Sequence, residues 1–236
     1  MFPYADENPS RTVPFFVYLF LIINAAVFAY GELYQPLPYE KWVLEWGLRP
    51  KELMGVGLSG EPGPWLELFA SPWLHANWLH LAGNLWFLWI FGDNVEDQLG
   101  HGRFAVFYLV CGFLATSTHV LVSPRSNLPL VGASGAIAGV LGAYLVFFPW
   151  HRIRAIAFFL IIAYRVQIRA FIFIGLWLVL QVAGQYYWAA AHGSKGEMGG
   201  VAYGAHLGGF VAGLLLAFPF STGRPRPRKP PRTQVA

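Results

Sequence analysis

Long apolar runs separated by short polar segments dominate the sequence. Six such runs occur, at residues 14–30, 77–95, 104–122, 131–150, 170–190 and 200–220. Each is close to the ~20 residues that a helix needs to cross the hydrocarbon core of a bilayer. The polar stretch before the first run lacks a small-residue cleavage site, so we expect that run to be a retained span. The pattern predicts an all-α fold, a polytopic membrane bundle of six transmembrane helices.

A long mixed segment, residues 31–76, separates the first two spans. It is rich in Pro, Gly and charged residues and is too polar to cross lipid. Four tryptophans fit anchoring at the level of the headgroups, because an indole is apolar with one hydrogen-bond donor; they are Trp42, Trp46, Trp65 and Trp73. We therefore expect a large loop at the membrane interface.

The spans divide the chain into three parts. Residues 1–13 form a cytoplasmic N-terminal segment, residues 14–220 a six-span membrane domain, and residues 221–236 a basic, Pro-rich tail that we expect to be disordered in the cytoplasm. One segment inside the domain is ambiguous. Residues 155–164 are apolar but too short to cross the membrane alone, so they are either re-entrant or interfacial.

Composition supports a membrane protein. The 236 residues are 56% hydrophobic and 12% charged, which is atypical of soluble domains. The single cysteine, Cys111, cannot form an internal disulfide, and no Cys/His cluster has the spacing of a structural zinc site. We expect no metal and no cofactor.

The net charge of +4 is explained by topology rather than by nucleic acid. Basic residues gather in short loops and at the C-terminus, not on an amphipathic face. If the N-terminus is inside, 11 of the 16 Lys and Arg residues lie inside and five outside. The positive-inside rule then places both termini in the cytoplasm. We expect an integral protein of a prokaryotic plasma membrane that binds no nucleic acid.

Polar side chains within the spans are few, and each suggests a function because it is costly in lipid. His80 and Asn84 lie four residues apart and share one face of the second span. Ser134 lies at the outer end of the fourth span, and His206 about two turns below the outer end of the sixth. His75 precedes the second span and is expected in a loop or at the interface. The polar groups therefore converge toward the outer leaflet.

Convergence of a serine and a histidine suggests nucleophilic catalysis, because a base must take the hydroxyl proton. No Asp or Glu is close to His206 in sequence, which favours a dyad over a triad. His80, Asn84 and the backbone N–H of Ser134 could donate to an oxyanion. Paired glycines let helix backbones approach closely; the pairs are Gly135 and Gly139, Gly204 and Gly208, and Gly209 and Gly213.

Three motifs resemble those of the rhomboid proteases. HANWLHLAGN (75–84) is similar to HxxxxHxxxN on the second span, GASGAIAG (132–139) to GxSG on the fourth, and AHLGGFVAG (205–213) to AHxxG on the sixth. The resemblance extends from about Phe69 to Phe220. It implies Ser134 as the nucleophile, His206 as general base and then acid, and an oxyanion hole that includes His80 and Asn84.

The resemblance also assigns structural roles and shows two departures. It implies structural roles for Glu96, Gly100 and Tyr108. The first loop has Trp46 and Arg49 separated by two residues rather than adjacent, which bears on how the loop positions the site. Ala138 stands where some members have a tyrosine that stacks on the catalytic histidine, which bears on how His206 packs.

The function implied is an intramembrane serine protease that cleaves in or near transmembrane segments of membrane proteins. Its partners would be those substrates and the lipid bilayer, and no oligomeric state is assigned. A transporter or channel would show an internal repeat, and the halves show no self-similarity. A bis-histidine haem or quinone protein using His80 and His206 would leave Ser134 unused. A non-catalytic relative that binds membrane proteins is a further alternative, and in isolation Ser134 and His206 could be structural residues.

Overall fold

The computed structural model describes residues 1–33, 38–56, 63–159, 162–192 and 202–223. The helices in these ranges are α1 (Phe15–Leu33), α2 (Tyr39–Trp46), α3 (Pro50–Val56), α4 (Gly63–Ala70), α5 (Trp78–Leu99), α6 (His101–Val122), α7 (Ser134–Phe147), α8 (Ala170–His192) and α9 (Tyr203–Phe220). The strands are β1 (Phe2–Asp6), β2 (Arg152–Phe159) and β3 (Ile162–Arg169). A 3-10 turn, Ser71–Trp73, precedes α5.

Helices occupy all six predicted spans. Four of them are long and apolar enough to cross a membrane, namely α1, α6, residues 170–187 of α8, and α9. The second span, α5, has 22 residues but ends in a polar segment. The fourth span, α7, has only 14 residues, or about 21 Å at ~1.5 Å per residue. The prediction of a helical membrane bundle is confirmed.

Helix α7 is short because it lies inside the bundle. Every residue from 135 to 144 is buried, and α7 contacts α5, α6 and α9. A helix enclosed by protein does not have to match the thickness of the hydrocarbon core by itself. The N-terminal end of α7 carries Ser134 and is therefore held from several sides.

The contact between α7 and α9 is a direct backbone contact. A Cβ atom placed on Gly209 would collide with the carbonyl oxygen of Gly135, and one on Gly213 would collide with that of Gly139. The pair Gly135 and Gly139 on α7 and the pair Gly209 and Gly213 on α9 therefore allow the close approach of backbones that was predicted. The third pair, Gly204 and Gly208, instead faces α6, where the nearest side chains are His119 and Thr118.

The residues that the resemblance marked as structural lie at the end of the bundle opposite Ser134. The buried Glu96 carboxylate accepts hydrogen bonds from the backbone N–H groups of Phe16 (3.0 Å) and Val17 (2.8 Å) in the first turn of α1. Those N–H groups have no partner within their own helix. Gly100 joins α5 to α6 with a φ of 81°, and Tyr108 stacks on Phe20 at 4.5 Å. These contacts agree with structural roles.

A three-stranded antiparallel sheet, in the order β1-β2-β3, lies at this same end and accompanies the helical bundle. Most of the ambiguous segment 155–164 belongs to β2 and β3, which pair with Arg152 opposite Arg169. Asp6 at the end of β1 accepts hydrogen bonds from the Tyr144 hydroxyl (2.6 Å) and the Asn94 amide (2.9 Å). Burial raises the pKa of Asp6 to about 7. The polar tail from residue 224 onward lies outside the described residues.

The predicted loop 31–76 contains helices α2 to α4 and the 3-10 turn. Its buried Leu48 exchanges two backbone hydrogen bonds with Leu130 (3.2 and 2.7 Å). The Ser71 carbonyl accepts a hydrogen bond from the Gly132 N–H (3.0 Å). These hydrogen bonds attach the loop to the segment that leads into Ser134. The loop makes them although its Trp46 and Arg49 are separated by two residues, unlike the family pattern.

We predict that Gly209→Ala destabilises the bundle, because the new methyl group must push α9 away from the Gly135 carbonyl. Overpacking of this kind reduces stability by about 1–3 kcal/mol. The melting temperature in detergent measures the effect. Gly175→Ala is the matched control, since a Cβ at Gly175 in α8 meets nothing within 4 Å. Equal melting temperatures for the two variants would contradict the contact.

Candidate active site

Ser134 and His206 meet at one end of the bundle. The Ser134 Oγ lies 2.8 Å from the Nε2 of His206, which is hydrogen-bond distance. Ser134 is the first residue of α7, and His206 lies in the first turn of α9. Gly135 follows Ser134 and Gly209 is one turn beyond His206, so the backbone contact of these glycines sets the distance between the two side chains.

The other ring nitrogen of His206 has a partner on α8. Its Nδ1 lies 2.7 Å from the Oε1 of Gln181. The Trp177 ring, one turn earlier on α8, packs beside the imidazole with centroids 6.0 Å apart. An aromatic ring therefore packs on His206 from α8, whereas position 138 on α7 holds only an alanine. Gln181 was not predicted as a site residue, although a glutamine within an apolar span is a signal that could have identified it.

The second span contributes two donors beside Ser134. His80 Nδ1 accepts the Ala76 N–H at 3.4 Å, so the ring proton belongs on Nε2. A Cβ on Gly132 would lie 2.9 Å from His80 Nε2 and 3.5 Å from Asn84 Nδ2. Both donors are thus adjacent to the backbone two residues before Ser134. The conformation of Gly132, with a φ of 116°, and its close contacts exclude a side chain there.

Asn84 is buried, and within the described part of the chain its Nδ2 has no hydrogen-bond partner. A buried donor without a partner is unfavourable in a folded protein, and such groups are found at functional sites. At the start of α7 the first N–H that bonds within the helix is that of Ile137. The preceding N–H groups, beginning with that of Ser134, are therefore free of intrahelical partners. Side-chain donors of α5 therefore lie beside Gly132, and free backbone N–H groups begin two residues later at Ser134.

A small cavity adjoins the serine. Its volume is about 10 Å³, and its lining includes Ser71, Thr116, Gly132, Ser134 and Ala205. That volume is close to the minimum that one water molecule requires. The site can hold a water molecule beside Ser134, but a peptide needs more room than this cavity offers.

His75 packs beside His80. It is in the predicted loop position but is completely buried, and its ring centroid is 5.2 Å from that of His80. Burial, together with the neighbouring His80, lowers the pKa of His75 to about 3, so the ring is neutral at physiological pH. The Tyr39 hydroxyl donates to the His75 carbonyl. His75 therefore packs against His80.

Comparison with known proteins identifies relatives. The family model of the Rhomboid domain matches residues 62–223. The rhomboid protease GluP of Bacillus subtilis is 33% identical over 132 residues, which is 56% of this chain and 24% of that protein. Rhomboid protein 1, mitochondrial, of Saccharomyces cerevisiae is 28% identical over 218 residues, 91% of this chain and 54% of the yeast protein. Rhomboid-like protein 11, chloroplastic, of Arabidopsis thaliana is 41% identical over 87 residues, 36% and 31% of the two chains.

These matches cover between about a quarter and about half of the relatives' own lengths. The relatives come from a bacterium, and by name from a mitochondrion and a chloroplast. Together with the apolar helices they identify an integral membrane protein. They do not favour a prokaryotic plasma membrane over an organelle, so that assignment and the cytoplasmic position of both termini stay predictions.

Proposed function

The chain belongs to the rhomboid family, and on that premise we propose that it is an intramembrane serine protease. Its substrates would be membrane proteins, cleaved in or near their transmembrane segments. The observation that carries the proposal is the 2.8 Å contact between Ser134 Oγ and His206 Nε2. A serine within hydrogen-bond reach of an imidazole is the arrangement that general-base activation requires.

The proposed reaction begins when the Ser134 oxygen attacks the carbonyl carbon of the scissile peptide bond. His206 Nε2 takes the hydroxyl proton and then gives it to the leaving amine as the carbon–nitrogen bond breaks. This leaves an acyl ester on Ser134. A water molecule next gives a proton to His206 and attacks the ester, which releases the carboxylic acid and restores the Ser134 hydroxyl.

The tetrahedral intermediates place negative charge on the former carbonyl oxygen. We assign its stabilisation to His80 Nε2, Asn84 Nδ2 and the backbone N–H of Ser134. The support is their shared position around Gly132 and the absence, among the described residues, of another partner for Asn84 Nδ2. Donors that are already in place stabilise developing charge without reorganisation, which is a large contribution to catalysis.

A transmembrane substrate must change conformation to react. A helix hides its carbonyl groups in internal hydrogen bonds, so the scissile segment must unwind before Ser134 can attack it. The small cavity beside Ser134 also requires neighbouring groups to move when a peptide enters. Under the predicted topology this occurs toward the outer leaflet.

The positions of the polar residues disfavour the transporter alternative. Ser134, His80 and His206 all lie within the first turn of their helices, at one end of the bundle. A transport path would need polar groups at successive depths across the membrane. The arrangement instead forms one compact cluster.

We predict that Ser134→Ala and His206→Ala each abolish cleavage of a model single-span substrate by the purified protein. Ser134→Ala removes one oxygen atom, so its melting temperature should stay close to that of the wild type, and a melting temperature for His206→Ala separates loss of the base from loss of the packed imidazole. Ser117→Ala, on α6, is the control and should cleave normally. Cleavage at the wild-type rate by the Ser134 or His206 variant would contradict the proposal.

We further predict that Asn84→Ala lowers kcat by up to ~10²-fold while KM changes little. A hydrogen bond to the oxyanion strengthens in the transition state, whereas the ground-state carbonyl depends on it less. Steady-state kinetics on the same substrate separate the two constants. Asn127→Ala, in an exposed loop, serves as the control. An unchanged kcat would remove Asn84 from the oxyanion hole, and a changed KM alone would assign it to substrate binding.

A further inference from the structure

We propose that Gln181 is a positioning residue that holds His206 in its catalytic tautomer. The proposal rests on the protease function proposed above. The sequence suggested a dyad of Ser134 and His206 alone. The proposal adds a third residue, whose neutral side-chain amide on α8 is the hydrogen-bond partner of His206. The observation is the 2.7 Å contact between Gln181 Oε1 and His206 Nδ1.

The tautomer of a neutral histidine is set by the hydrogen bond of the nitrogen that does not react. Ser134 can pass its proton to Nε2 only if Nε2 is unprotonated, so the ring proton must lie on Nδ1. The Oε1 of Gln181 is an acceptor for that Nδ1–H. With a donor in the same place, the proton would move to Nε2 and the base would be lost.

The orientation of the Gln181 amide is itself set by the backbone. Its Nε2 donates to the carbonyl oxygen of Trp177, one turn earlier, at 3.4 Å. The amide oxygen therefore faces His206, and a flipped amide would place a donor against Nδ1–H. Gln181 is 9% exposed, and a neutral acceptor at such a site avoids the cost of burying a carboxylate.

Gln181 reaches His206 because α8 packs on α9 along a single stripe. Trp177 packs against Phe210 as well as His206, with ring centroids 6.0 Å apart in each pair, and Gly184 closely contacts the Tyr203 ring. Residues 177, 181 and 184 lie on one helical face. Outside this stripe, the first turn of α8 packs on α5, where the ring centroids of Phe173 and Phe91 are 6.1 Å apart, and 22% of the apolar window of α8 is buried, against 39% for α9. The catalytic tautomer therefore depends on α8 remaining docked on α9.

Two substitutions at one position test the proposal on the full-length protein with the model single-span substrate. Gln181→Met keeps the length of the side chain but has no comparable acceptor, and should lower kcat about 10- to 100-fold with KM within about twofold. Gln181→Glu keeps an acceptor facing Nδ1 and should recover most of that loss. Val182→Ala, whose side chain is exposed, should equal the wild type.

A structural role for Gln181 predicts a different pattern. If the residue only fills space, Gln181→Met is tolerated and the charged Gln181→Glu is impaired. The proposal is overturned if the Met variant has the wild-type kcat, or if the Glu variant has a kcat no higher than that of the Met variant.

Nitrogen-15 NMR of His206 gives a readout that is independent of activity. The ring proton should lie on Nδ1 in the wild type and move to Nε2 in Gln181→Met. An unchanged tautomer also overturns the proposal. Failure of the protease proposal is distinguishable, because the wild type would then not cleave.

Discussion

The close approach of α7 and α9 is the constraint on which the site depends. At Gly135 and Gly209 the helices are in backbone contact, and no side chain fits between them. Ser134 and His206 lie one residue and one turn from this contact, and their hydrogen bond measures 2.8 Å. A separation greater by about 1 Å would exceed the distance at which a hydrogen bond forms. The position of the short α7 relative to α9 is fixed because other helices of the bundle surround α7.

Hydrogen bonds to buried polar groups hold the two ends of the bundle together. Around the site Ser134, His206, Gln181 and the Trp177 carbonyl form a continuous chain of hydrogen bonds. At the opposite end Glu96 satisfies the first N–H groups of α1, and Asp6 accepts from Tyr144. Asn84 differs, because its amide donor has no partner among the described residues. This amide lies beside Gly132, two residues before Ser134, where the oxyanion of the proposed reaction would need a donor.

The helices were predictable because lipid requires ~20 apolar residues per span, and the approach of Ser134 to His206 was predictable because both lie near the same end of their spans. Other contacts between spans were not. Gly204 and Gly208 have the same spacing as Gly209 and Gly213, yet they face a different helix, and spacing alone cannot name the neighbour. Gln181 is 25 residues from His206, so only the packing of α8 on α9 joins them. Strands β2 and β3 were missed because the apolar run at residues 155–164 resembles a short membrane segment.

In the proposed reaction Ser134 is a nucleophile activated by His206 within a membrane-embedded site. The most direct test is to treat the protein in lipid bilayers with a fluorophosphonate and locate the adduct by mass spectrometry of peptides. We expect one covalent adduct, on Ser134, which is absent when His206 is replaced by alanine. An adduct on another serine, or none under conditions that label a known serine hydrolase, would show that Ser134 is not an activated nucleophile.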